Sequence, residues 1–164
     1  MIFVTVGTHE QPFNRLIKEM DRLVYKKKIT EDVIIQTGFS TYKPKYCISY
    51  KMMSFDEMNA ALKKARIVIT HGGPSSFIEA LQLDKVPIVV PRQEKFHEHV
   101  NNHQVEFVKL ISEKMNNIIA VYDINDLENA IVNYDQLVKT KKLNTTSNNE
   151  RFNKNLSKII NDLF

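Results

Sequence analysis

The 164-residue chain is 43% hydrophobic and 26% charged, proportions that exclude an intrinsically disordered chain and leave room for one globular domain rather than two. Its net charge of +4 is supplied in good part by Lys26 to Lys28 and by Lys139, Lys141 and Lys142. These runs read as solvated faces without the interleaved aromatics of a nucleic-acid surface, so no nucleic-acid partner is expected. A single cysteine, Cys47, excludes an internal disulfide and a cysteine-built metal site.

The opening apolar run, residues 2–6, lacks a basic flank and closes at Gly7, so it reads as a first strand rather than a signal peptide. No apolar stretch approaches the ~20 residues that cross a bilayer. A cytoplasmic location is expected, with membrane contact only peripheral and through another protein. After the turn Gly7-Thr8-His9-Glu10, Phe13, Leu16, Ile17, Met20 and Leu23 recur at helical spacing, with Pro12 expected in the early turn. Strands are expected at residues 33–37, ending in Thr37-Gly38, and at 46–49. Ser54-Phe55-Asp56-Glu57 then forms a capping box, with Met53 and Met58 as a hydrophobic staple.

A fourth strand at 67–70 runs into His71-Gly72-Gly73-Pro74-Ser75-Ser76, where the next helix starts. A fifth at 88–90 leads through Pro91-Arg92-Gln93-Glu94 to a helix expected from about His97 to Glu113. A sixth strand is expected at 118–122 and a helix at about 125–139. Residues 144–149 read as a linker between a domain of residues 1–143 and a short tail. In that tail Phe152, Leu156, Ile159, Ile160 and Leu163 line one helical face, suited to packing on the domain or docking a partner.

Near-continuous Val/Ile strands alternating with amphipathic helices predict an α/β fold: an open, mainly parallel Rossmann-like sheet with helices on both faces. Ligands then bind beyond the carboxyl ends of the strands, so the residues after each strand carry the chemistry. The turn after the fourth strand is the strongest feature. Gly72 and Gly73 let backbone N–H groups approach a ligand, the following helix presents its positive dipole end, and Ser75 and Ser76 add hydroxyls. The same pattern also suits a plain strand-to-helix turn.

Glu79, one turn on, can hold ribose hydroxyls or close a capping box with Ser76, and Pro74, by starting the helix at Gly73, favours the ligand. His97, His99 and His103 include an i, i+4 pair, but nothing specifies further ligands and no metal is expected. Asn102 and Gln104 suit sugar hydroxyls. The first turn lacks a G-x-G-x-x-G pattern and no acid follows the second strand, which excludes a dinucleotide site.

Taken in order, FVTVGTHEQPFNRL, QTG, THGGPSS, and VVP followed by NNHQ resemble family 28 glycosyltransferases over Met1 to about Leu110, within the C-terminal, donor-binding half of a GT-B fold. The likeness is to single-domain subunits of split enzymes, which act with a membrane-anchored partner that binds the acceptor. The resemblance implies that Gly7 and Thr8 form a phosphate loop, and that Ser54 and Phe55 contact uracil. It gives His71, Gly72, Gly73 and Ser75 the diphosphate, Glu79 the ribose, and Asn102 and Gln104 the donor sugar. Pro74 departs from the small or apolar residue common there and stiffens the loop.

The implied reaction is transfer of a sugar from a UDP-sugar, with inversion, to a lipid-linked saccharide in surface polysaccharide synthesis. UDP-galactose is the preferred donor, and N-acetylglucosaminyl and glucuronosyl transfer stay open. No cofactor or metal is expected. His9 and Glu10 are the local candidates for the proton acceptor, unless the partner supplies it. A UDP-binding subunit without catalysis is the alternative; a UDP-sugar epimerase is set aside because such enzymes fuse two domains.

Overall fold

Alternation along the first strand decides how the sheet is covered, because successive side chains point to opposite faces. Ile2, Val4 and Val6 join one apolar cluster and Phe3 another, all fully buried. The computed structural model describes residues 1–142 and 157–158. Six strands, β1 (Ile2–Thr5), β2 (Val33–Gln36), β3 (Ile48–Tyr50), β4 (Ile67–His71), β5 (Ile88–Val90) and β6 (Ile119–Ala120), pair throughout in parallel in the order β3-β2-β1-β4-β5-β6.

The helices are α1 (Asn14–Tyr25), α2 (Phe55–Lys64), α3 (Pro74–Gln82), α4 (His103–Met115), α5 (Leu127–Val132) and α6 (Tyr134–Lys139). Leu16, Ile17, Met20 and Leu23 of α1 pack with Leu127, Ala130, Ile131 and Tyr134 on the Ile2/Val4 face. On the other face Phe3 and Val68 meet Ala61 and Leu62 of α2, and Val89 meets Phe77 of α3 and Val108 and Ile111 of α4. Each such Leu, Ile, Val or Phe contributes roughly 1.5–3 kcal/mol by burial. The expected doubly covered parallel sheet is therefore the architecture found.

Several local expectations are corrected. Pro12 lies before the N-cap Phe13, outside α1, and is not in its early turn. The fifth strand has the expected bounds, but others differ by a residue or more: β1 ends at Thr5, β2 at Gln36 and β4 at His71, β3 is Ile48–Tyr50, and β6 is Ile119–Ala120. The helix expected from His97 starts only at His103. Before it the chain makes a 3-10 turn at Glu94–Phe96 and reverses at His97, whose φ is 56°. His99 and His103 therefore do not share a helix face. The stretch 125–139 is a 3-10 turn followed by α5 and α6, interrupted at Asn133. The Ser54–Glu57 capping box is present in both directions, and Met53 and Met58 pack against one cluster as a staple requires. The linker at 144–149 and the apolar face of Phe152, Leu156, Ile159, Ile160 and Leu163 lie outside the described residues.

Asp21, buried on α1, ties the connection between β2 and β3 to the helix. Its carboxylate accepts from the Lys45 and Tyr46 amides at 2.9 and 2.7 Å and from the Tyr42 hydroxyl at 2.7 Å. Burial pushes its pKa up, but these bonds outweigh it and hold the carboxyl below its ordinary value. Asp21→Asn should cost about 1–3 kcal/mol near neutral pH in urea unfolding, by leaving amides unpaired. A carboxyl depressed in the folded state stabilises above its unfolded pKa and loses that contribution as pH falls through the folded one. The gap between wild type and variant should therefore narrow on acidification, and a gap independent of pH would contradict the assignment.

Candidate active site at the β1/β4 switch point

The strand order reverses direction between β1 and β4, and at such a point the loops on either side diverge to leave a crevice. Register brings the strand ends level, since Thr5 lies opposite both Gln36 and Thr70. Gln36, a residue whose role the sequence does not disclose, organises the first turn. Its Oε1 accepts from the Thr5 hydroxyl at 2.7 Å and its Nε2 donates to the Gly7 carbonyl at 3.1 Å.

His71 fills the crevice floor between two glycines. A Cβ on Gly7, whose φ is +74°, would lie 2.5 Å from His71 Cε1, and one on Gly73 would lie 2.3 Å from His71 Nε2. Glycine is required at both positions because the imidazole packs directly on their backbones. Burial first, then the charge of Arg92, drives the His71 pKa down to about 4, while the nearby Thr5 backbone works weakly the other way. His71 is therefore a neutral ring at physiological pH.

Beside it, Gly73 caps α3, Pro74 is the first helical residue, and neither a capping side chain nor a first-turn acid opposes the dipole. Ser75 and Glu79 are exposed and Ser76 is half-buried along this first stretch of α3. With the helix starting at Gly73, Ser76 is not an N-cap and Glu79 lies beyond any box.

The residues after β5 do something the sequence does not announce. Arg92 is fully buried and grips three carbonyls: Val6 at 2.8 Å, Gln11 at 2.7 Å and Glu98 at 3.1 Å. Burial lowers its pKa to about 10, with Glu98 acting in the opposite direction. The buried Glu98 carboxylate forms a two-pronged pair with Arg15, both bonds 2.9 Å, and accepts from the Gln93 amide at 3.1 Å. This knot joins the loop after β1 to the loop after β5. His9 and His99 consequently meet, ring centroids 4.7 Å apart. His9 is held below its ordinary pKa by burial, then by His99 and Arg92, against a weaker pull from exposed Glu10.

The remaining sequence candidates are placed unequally. Gln104 sits at the start of α4, and its Oε1 accepts from the Gly72 amide at 3.0 Å and the Arg92 amide at 3.1 Å, so it fastens the ends of β4 and β5 together. Asn102 caps the same helix from outside and accepts from the Glu94 amide at 3.1 Å. Thr8 is exposed beside Gly7. Ser54 is engaged in its capping box, while the neighbouring Phe55 ring is 77% exposed at the start of α2. Among the described residues no cluster of three or more His, Cys, Asp or Glu side chains could hold a metal. No described helix is long and apolar enough to cross a membrane.

Three comparisons bear on this arrangement. The glycosyltransferase family 28 C-terminal domain model matches residues 1–163. The UDP-N-acetylglucosamine transferase subunit ALG13 of Homo sapiens is 32% identical over 125 residues, covering 66% of this chain but 10% of that protein. The glycotransferase of kitacinnamycin superposes with a TM-score of 0.57 at 14% identity, over 84% of this chain and 36% of that one. MurG of Acinetobacter baumannii does so at 0.55 and 12% identity, over 84% and 44%. At such identities the structural likeness shows a shared fold, that of GT-B glycosyltransferase C-terminal domains.

A depressed histidine pKa has a definite sign in folding. The unfolded ring takes up a proton near pH 6.5 and the folded ring only near 4, so His71 stabilises fully above about 6.5 and loses that contribution as pH falls towards 4. His71→Gln should be less stable near neutrality yet lack this part of the acid slope in urea unfolding at stepped pH. An NMR titration of His71 with a midpoint near 6.5 would contradict the burial argument.

Proposed function

Because this chain belongs to the glycosyltransferase family 28 C-terminal domain family, we propose that it holds a UDP-sugar at the β1/β4 switch point as the donor-binding part of an inverting glycosyltransferase. The observation that carries this reading is the N-terminus of α3, without a side-chain cap and packed through His71 against the first turn. Pro74 has no N–H and the Gly72 amide is committed to Gln104. The amides of Gly73, Ser75 and Ser76, with the Ser75 and Ser76 hydroxyls, are left to donate to the diphosphate. Gly7 and Thr8 line its other side. Glu79, exposed one turn along α3, takes the ribose hydroxyls. Ser54 and Phe55 receive the uracil, the exposed Phe55 ring offering an apolar surface to the base. Gln104 has its carbonyl engaged, so its amide nitrogen is what it presents to the donor sugar, beside Asn102.

In the reaction the acceptor hydroxyl attacks the anomeric carbon, the bond to the diphosphate breaks, and UDP leaves with the electron pair. Negative charge grows on the diphosphate oxygen, where the amides at the α3 N-terminus are already oriented to stabilise it without an added metal. The acceptor's proton passes to a base drawn from Glu10, His9 or a partner subunit. The name of the human relative supports assembly with a partner, since that protein is a subunit. We extend this to a membrane-anchored partner at the inner face of the plasma membrane that binds a lipid-linked saccharide in surface polysaccharide synthesis. The donor proposed is UDP-galactose. UDP-N-acetylglucosamine is the second reading, favoured by the name of the same relative.

Thermal unfolding of the chain with UDP, UMP, NAD and inorganic phosphate tests the donor site. Ligand at 100 times its dissociation constant adds about 2.7 kcal/mol, hence roughly 5–10 °C for a domain of this size. UDP should raise Tm and NAD should not, and Glu79→Ala should lose much of the UDP shift. Absence of a UDP shift both alone and with an acceptor-binding partner would refute the reading.

A further inference from the structure

His9 and His99 belong to loops that follow the two neighbours of β4, and each ring is locked in the same way. The Gln11 amide donates to His9 Nδ1 at 3.2 Å, and the Asn101 amide donates to His99 Nδ1 at 3.4 Å. A ring nitrogen that accepts a hydrogen bond carries no proton, so each neutral imidazole holds its proton on Nε2 and donates from there. Arg92 secures both locks, since its Nη1 binds the carbonyl of Gln11, two residues after His9, and that of Glu98, one residue before His99. The rings rest 4.7 Å apart, tilted by 39°. They sit next to the α3 N-terminus, because Gly7, two residues before His9, and Gly73 pack on the same His71 ring, whose Nδ1 is buried without a partner.

We propose that His9 and His99 form a two-imidazole clasp whose Nε2–H groups donate to an oxygen of the diphosphate at the α3 N-terminus. His99 is thus a further binding residue, and His9 serves as a hydrogen-bond donor rather than as the proton acceptor. The inference rests on the nucleotide-sugar reading. Three features agree with it. Protonating His9 would require its Nδ1, which is already engaged. A positive charge on the His9 ring is disfavoured by burial first, and then by the neighbouring His99 ring and the buried Arg92 guanidinium. The acidic neighbour, Glu10, is exposed and remains available as base.

Two measurements on the full chain test this. Two-bond 15N–1H correlation spectra of the wild type near pH 7.5 should show the Nε2–H tautomer for both His9 and His99; an Nδ1–H tautomer at either would overturn the clasp without recourse to a variant. Calorimetric titration with UDP and with inorganic pyrophosphate should show roughly tenfold or greater weakening for His9→Phe and for His99→Phe, which keep a flat ring but lose the donor. His99→Gln, whose amide can reach a similar position, should recover part of the loss. Uridine binding should be unchanged. If the wild type binds UDP and the two Phe variants, melting as wild type does, bind it equally well, the clasp fails and the nucleotide-sugar reading stands. Clasp-dependent binding of pyrophosphate without binding of UDP, alone and with an acceptor-binding partner, would keep the clasp and refute that reading; binding of neither under both conditions would remove both.

Discussion

A charged guanidinium taken wholly out of water costs several kcal/mol unless its protons find partners, and Arg92 offsets that cost with three carbonyls, those of Val6, Gln11 and Glu98, while its Nε is left unpaired. One grip is on Val6, at the end of the first strand; another is on Gln11, in the loop that carries His9; the third is on Glu98, beside His99. The adjoining carboxylate of Glu98 binds Arg15 at the start of α1. One buried charge thus fixes the relative position of the loops after β1 and β5, and through Gln104 the loop after β4 as well. Removing it would leave the Val6, Gln11 and Glu98 carbonyls without this donor, so the surrounding geometry is specified by the cost of the alternatives.

The division of the molecule into two chemistries follows from this. Along their length the central strands are apolar on both faces and closed to water. At their carboxyl ends the buried atoms turn polar. Among the described residues, Gln11 Oε1, Arg15 Nη1, Thr70 Oγ1, His71 Nδ1 and Arg92 Nε are buried there without a hydrogen-bond partner, and Asn117 Oδ1 is likewise unpaired ahead of β6.

Neutrality of His71 is part of the same arrangement. His71 is kept uncharged by burial and by Arg92, so the positive potential of the site comes from a fixed guanidinium and from the helix N-terminus rather than from groups that titrate near neutral pH. The glycines at 7 and 73 serve this arrangement by letting one ring contact two backbones at once.

How much of this could be read in advance divides along the range of the interactions. All six strands, the parallel α/β class, the capping box at Ser54 and the helix start at Gly73-Pro74 were legible, because each rests on spacing or on a cap within a few residues. The stretch from His97 to Asn102 misled, since its polar, locally helical pattern gives no sign that Glu98 would be drawn inward to Arg15 and Arg92. Gln36 looked like part of a motif rather than the brace of the first turn, and Gln104 looked free for sugar when its carbonyl is shared by two amides. The sequence by itself determined the elements, their faces and the family, all set by local pattern and residue order. Only the tertiary structure decided which polar groups are spent on one another and which are left unpaired. Arg15 and Glu98 lie 83 positions apart, and Arg92 and Val6 lie 86 apart, and no local periodicity records a hydrogen bond that closes only after the sheet has formed.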